Sequence, residues 1–238
     1  MQKLSKLFLL LTLTACSSPT NKHKIANIPE ASGISYCEDS NTLAVVSDEG
    51  TFYELTTSGA ILTERKLGDY DLEGVVCEKE HFIFAVEKGE LLVVSRSEQK
   101  IKTLKIKGQG FTLTKKHGIE GITKIGKFYY LSIQEKKQKK NAKILVVKLG
   151  ANHAKVVEVI NSNIIDTAGM EYHDKKLYIV SDKKDKLYIY NLKKNKIKKK
   201  IKLPKFAQEG VTFDNNGNVY FADDDGAVMK YTKKELGL

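Results

Sequence analysis

Carboxylates recur in this chain at fixed distances from a repeated glycine. Five segments begin alike: Ala31-Ser32-Gly33-Ile34, Leu72-Glu73-Gly74-Val75, Ile119-Glu120-Gly121-Ile122, Thr167-Ala168-Gly169-Met170 and Gln208-Glu209-Gly210-Val211. Just before the glycines stand Ser32, Glu73, Glu120, Ala168 and Glu209. After each glycine an apolar run ends on a polar residue: Asp48, Glu87, Gln134, Asp182 and Asp223, 15 positions on in the first segment and 13 in the other four. Brought to one place, these positions supply seven carboxylates, and Glu30, Asp71 and Asp166 are close enough in sequence to join them. Converging carboxylates repel one another and resist desolvation unless something positive meets them. A hard cation such as Ca2+, which takes six to eight oxygens, is one answer. A cationic or polyhydroxyl ligand is another. Neutralisation by Lys88, Lys136, Lys183 and Lys184, as plain architecture, is the third.

Other reactive groupings are sparse. The chain has no Gly-x-Ser-x-Gly elbow and no His-Glu-x-x-His. His117 precedes Glu120 by three residues and could reach the same place, while His173 follows Glu171; each reads first as an exposed or hydrogen-bonded histidine. Asp223-Asp224-Asp225-Gly226 resembles a fragment of a calcium loop but reads better as a hairpin turn. Cys37 and Cys77 lie four and three residues after their glycines. Opposite parity on neighbouring strands lets them form a disulfide or remain two buried thiols.

The elements that position these groups follow from the repeat. The glycines are 41, 47, 48 and 41 residues apart. Each repeat offers short runs rich in Val, Ile, Leu, Tyr and Phe, separated by turn residues, and no stretch shows a long 3.6-residue period. Four short strands every 41–48 residues is the pattern of a β-propeller blade. The fifth repeat has three strands, and the segment 22–28 supplies the fourth, removing an open edge. The expected fold is therefore all-β, a propeller of five four-stranded blades with the last closed by the N-terminal strand. The start of a first strand and the end of the antiparallel second strand share a face, so the two sets of polar residues surround one channel mouth.

The first residues read as an export signal. Lys3 and Lys6 precede the apolar run Leu7–Leu13, which is too short to span a bilayer. Leu13-Thr14-Ala15-Cys16 resembles a bacterial lipobox, implying acyl chains (diacylglycerol and palmitate) on Cys16 and stable membrane anchoring. The expected organisation is a lipoprotein signal peptide at 1–15, a lipidated tether at 16–24 and a propeller at 25–238. The protein would sit in the cell envelope, on the periplasmic side of the outer membrane where the organism has one. The formal charge of +11 comes almost wholly from lysine, with Arg65 and Arg96 the two arginines. That balance disfavours nucleic-acid reading, which leans on arginine. It suits solvated outer strands such as the run Lys193–Lys205 and, secondarily, anionic headgroups.

With these motifs in order, the chain resembles the SdiA-regulated (YjiK-like) domain family. The resemblance rests on Pro29-Glu30-Ala31-Ser32-Gly33-Ile34, Val46-Ser47-Asp48-Glu49-Gly50, Asp71-Leu72-Glu73-Gly74-Val75, Phe84-Ala85-Val86-Glu87, Gly118-Ile119-Glu120-Gly121 and Gln208-Glu209-Gly210-Val211-Thr212-Phe213. It covers roughly residues 25–232 and implies an exported propeller of undefined biochemical role. The family shares its ring plan with calcium-dependent lactonase-type propellers, from which this chain departs at Ala168 and Gln134. The resulting expectation is a monomeric, lipid-anchored protein that binds a small ligand, a cation (Ca2+) or an envelope protein through Glu73, Glu120, Glu209, Asp48, Glu87, Asp182 and Asp223. The alternative is a calcium-dependent hydrolase of lactonase or phosphoesterase type.

Overall fold

The computed structural model describes residues 22–114 and 116–238. The signal segment and Cys16 lie outside the described residues. Twenty strands make up almost all of the regular structure. They are β1 (Lys24–Ala26); β2 to β5 (Ala31–Cys37, Thr42–Ser47, Thr51–Thr56, Ile61–Lys66); and β6 to β9 (Leu72–Cys77, His81–Val86, Glu90–Ser95, Ile101–Lys107). Next come β10 to β13 (Ile119–Ile125, Phe128–Ile133, Lys143–Leu149, Ala154–Asn161) and β14 to β17 (Met170–His173, Lys176–Ser181, Lys186–Asn191, Lys196–Lys202). The last three are β18 to β20 (Gln208–Phe213, Asn218–Asp223, Ala227–Thr232). Among the described residues no helix is long and apolar enough to cross a membrane.

Three sheets have four strands each, ordered β2-β3-β4-β5, β14-β15-β16-β17 and β1-β20-β19-β18. As the repeat implied, the N-terminal strand pairs antiparallel with β20. The remaining two repeats depart from the expected separate sheets and run together as one of eight strands, β10-β11-β12-β13-β9-β8-β7-β6. The join is short: the outer strands β9 and β13 pair in parallel at Ala154↔Ile106 and Lys155↔Lys107. Gly108 lets this edge close, because a Cβ there would lie 2.6 Å from the Val156 side chain.

The burial of each strand explains its composition. The second strand of a repeat is covered on both faces, as in β3, where every residue is buried, so it reads as an unbroken apolar run. The fourth strand is an exposed edge, as in β17, and its lysines deter edge-to-edge pairing. The core lies between neighbouring sheets, not within one. Phe52 of β4 packs on Phe82 and Phe84 of β7 at ring separations of 4.7 and 5.5 Å. Each such buried aromatic contributes roughly 1.5–3 kcal/mol.

The inner strands β2, β6, β10, β14 and β18 touch in cyclic order, and β18 closes on β2. At each contact one repeat glycine meets the next. A Cβ on Gly33 would lie 2.4 Å from the Cα of Gly74, one on Gly169 would lie 2.6 Å from that of Gly210, and one on Gly210 would lie 3.1 Å from that of Gly33. None of these glycines has positive φ, so the requirement is space and not conformation. Two residues further on, side-chain hydroxyls tie the inner strands together. Ser35 Oγ accepts from Cys77 N at 3.2 Å, Thr123 Oγ1 from Tyr172 N at 2.9 Å and Thr212 Oγ1 from Tyr36 N at 2.9 Å. Beyond them Cys37 and Cys77 form a disulfide across β2 and β6, with Cα atoms 5.3 Å apart.

Two stability predictions follow from these contacts. Gly169→Ala should cost about 3 kcal/mol in urea unfolding, at the upper end of overpacking penalties, because the added methyl meets backbone. Gly126→Ala, whose Cβ meets nothing within 4 Å, should cost only about 1 kcal/mol for its positive φ; equal costs would contradict the close-approach account. The double variant Cys37→Ser/Cys77→Ser should lose about 2–4 kcal/mol, since the bridge closes a separation of 40 residues.

Candidate acidic mouth

A β-bulge aims each inner-strand acid. In β6, Leu72 pairs with Val86 and Gly74 with Ala85, leaving Glu73 between them without a partner. The same shift isolates Ser32 in β2, Glu120 in β10 and Glu209 in β18. A bulge adds one residue to one strand and re-aims its side chain. The acids at second-strand ends are held by backbone bonds to the loop that leads into the inner strand. Asp48 N donates to Glu30 O at 3.2 Å and Glu87 N to Asp71 O at 2.9 Å.

The mouth is half-buried and rich in like charge. Glu73 and Glu120 are 9% and 8% exposed. Burial, followed by the neighbouring carboxylates, pushes Glu73 well above the ordinary carboxylate range and Glu209 up to about 9. Burial raises Glu120 to about 8 although Lys136 opposes the shift. Asp48 is raised to about 7 by burial and then by Asp224 and Asp71. Glu87, Asp182 and Asp223 are also raised, in each case chiefly by burial.

The lysines compensate this mouth only in part. A cavity of about 90 Å³ is lined by Glu120, Asp166, Asp182 and Glu209 together with Lys136 and Lys183. Lys183 Nζ lies 3.7 Å from Asp166 Oδ1, and its backbone N donates to Asp166 Oδ2 at 2.7 Å. Lys88 and Lys136 lower the raised carboxyl of Glu87. On the opposite side, one carboxylate oxygen each from Asp48, Asp71 and Glu73 lie within 4.8 Å of one another. Among the described residues no lysine or arginine pairs with these three. Asp48 Oδ1 is buried without a hydrogen-bond partner. This all-oxygen, uncompensated set fits a hard divalent cation, with water or a bound ligand completing the coordination.

The other sequence candidates fall in different places. Asp223 is committed to its own loop, where Oδ1 accepts from Ala207 N at 3.1 Å and Asp225 N at 3.2 Å. Asp223–Gly226 is the hairpin turn between β19 and β20, with Gly226 N donating to Asp223 O. His117 Nδ1 lies 3.0 Å from the Gln134 carbonyl and 3.8 Å from Glu135, so the ring is held beside the mouth. His173 stacks on Phe213 at 4.7 Å and meets Lys233 Nζ at 2.9 Å, near the other end of the sheets. One acid escaped the sequence reading. Glu171, two residues after Gly169, takes the place that holds Thr123 and Thr212 in other repeats. Its Oε2 accepts from Thr123 Oγ1 at 3.1 Å, and burial pushes its carboxyl up to about 8.

Comparison with known proteins places these features in context. The family model described as SdiA-regulated matches residues 12–225. No curated protein matches the sequence. Among solved structures, Myxococcus xanthus glutaminyl cyclase is similar with a TM-score of 0.66 at 10% identity, covering 87% of this chain and 92% of the other. A streptogramin B lyase is similar with a TM-score of 0.51 at 14% identity, covering 87% of this chain and 70% of the other. Identities this low carry the fold alone: an all-β, propeller-like architecture.

The raised carboxyls fix the sign of the pH dependence. Each holds its proton more tightly folded than unfolded, so the folded chain binds more protons between its ordinary value near 4 and its raised value. Stability of the chelator-treated chain should therefore fall as pH rises from about 5 towards 8–9, the window set by Asp48, Glu120 and Glu209. Each kcal/mol lost should lower the thermal midpoint by about 2–4 °C. A midpoint that climbs steadily over this range would contradict the assignment.

Proposed function

The chain belongs to the SdiA-regulated family, and we propose that it is an exported, lipid-anchored, five-bladed propeller that binds a hard divalent cation such as Ca2+ at its acidic mouth. The cation is held alone or together with a ligand that it helps to bind. Cyclic contact of the five inner strands and the pairing of β1 with β20 support five blades, with the eight-stranded sheet read as two blades touching at their outer edges. The carrying observation is the cluster of Asp48, Asp71 and Glu73, which contains an orphaned buried oxygen and has no cationic partner among the described residues. Burying such a group is costly unless a positive charge joins it. The reading is binding and not hydrolysis: His173 lies near the other end of the sheets, and His117, beside the mouth, has its Nδ1 at the Gln134 carbonyl.

Calorimetry tests the reading. Ca2+ titrated into chelator-treated protein should bind, and Asp48→Asn/Glu73→Gln should weaken binding at least about tenfold, while Glu171→Gln should leave it within about twofold. Affinity should rise between pH 6 and 8, because protons compete for the Asp48 carboxyl, pushed up to about 7. Equal binding by the double variant would overturn the assigned seat.

A further inference from the structure

The end of the molecule opposite the mouth has a separate character. In β4 and β5, Thr51 pairs with Lys66 and Leu55 with Ile61. Thr51 follows Asp48, so Ile61 lies at the far end of its sheet. Ile61 and its neighbour Leu62 are 47% and 56% exposed, two apolar residues at the start of an edge strand. The chain enters the fold beside them. A Cβ on Gly59 would lie 2.0 Å from Ile25 O, and Thr57 O accepts from Lys230 Nζ at 3.3 Å. His23 O accepts from Lys230 N at 2.8 Å, so Lys22 leaves β1 at this same end.

Turns at this end carry exposed lysines: Lys127, Lys175, Lys193, Lys194 and Lys234, besides Lys22. The acids at this end are matched in part, Glu38, Glu80 and Glu235 having no ion pair among the described residues. Asp39 pairs with Arg96 at 2.7 Å, Glu78 with Lys124 at 2.7 Å and Asp174 with Lys233 at 3.2 Å. Only residues 17–21 separate Cys16 from Lys22. At about 3.6 Å per residue, a lipid on Cys16 would hold Lys22 within roughly 20 Å of the bilayer.

The geometry points to this end as a membrane-docking face, resting on an anionic bilayer with Ile61 and Leu62 in the headgroup region and the lysines against lipid charge. The acidic mouth then opens away from the membrane. This inference rests on the reading of Cys16 as the lipidated residue.

The chain contains no tryptophan, so one introduced Trp is a clean reporter. The lipidated full chain would be bound to phosphatidylcholine–phosphatidylglycerol vesicles containing brominated lipid, as Leu62→Trp and, on the mouth side, Asp69→Trp. Asp69 is fully exposed in the loop after β5. Quenching and blue shift at Leu62→Trp, at least about twofold stronger than at Asp69→Trp, are expected. Equal quenching at both positions, or none at either while the chain floats with the vesicles, would overturn the docking face. Flotation reads the anchor separately. A Cys16→Ala chain that floats as well as the parent would overturn the anchor reading beneath the proposal.

Discussion

The structure depends on five glycines meeting around a common axis. Each brings its inner strand so close to the next that a single methyl would strike a neighbouring backbone or side chain. That approach sets the distance between sheets and hence the space in which Phe52, Phe82 and Phe84, or Tyr178 and Phe213, pack. It also sets the bulges. The residue before the glycine is the unpaired one in four repeats, so the element that closes the ring also turns Ser32, Glu73, Glu120 and Glu209 towards the mouth. Closure and acid convergence are thus one geometric fact.

Convergence has an electrostatic cost, and the chain answers it unevenly. Lys183 pairs with Asp166 and Lys136 opposes the rise of Glu120, part of what a bound cation would do, while Glu209 in the same cavity stays raised to about 9. No lysine serves Asp48, Asp71 and Glu73 among the described residues, and there the orphaned oxygen remains. The basic residues that dominate the composition are spent on exposed outer strands and on turns at the opposite end. A strongly basic protein thereby keeps an acidic opening, with opposite charge at its two ends. The arrangement would present the opening to solvent and the lysines to an anionic surface.

Much of this was legible in the sequence because the repeat is exact where geometry is strict. The glycines, the acids before them and the 13-residue offset to the second-strand ends all reflect one strand pair of constant length. The pairing of the N-terminal segment with the last repeat was legible for the same reason, since one repeat lacked a strand. The joining of β9 and β13 was not, because it depends on the path of two outer strands over two residue pairs. Nor was the unequal distribution of lysines. Lys88, Lys136, Lys183 and Lys184 all follow a ring position closely in sequence, but which carboxylate each meets is settled by loop conformation. Asp71 was visible as a nearby acid, but its place beside Asp48 is a contact between repeats. Glu171 was hidden because its repeat position usually carries a hydroxyl, Ser35, Thr123 or Thr212; aligning that offset would have exposed the exception.

The central claim is that the uncompensated side of the mouth is a cation seat. Anomalous diffraction from crystals soaked in Ca2+, or in Mn2+ as its stronger scatterer, tests it most directly. The account predicts a peak at about 2.0–2.6 Å from carboxylate oxygens of Asp48, Asp71 and Glu73. A peak on the axis between Glu120 and Glu209, or a mouth with no peak at millimolar cation, would contradict it.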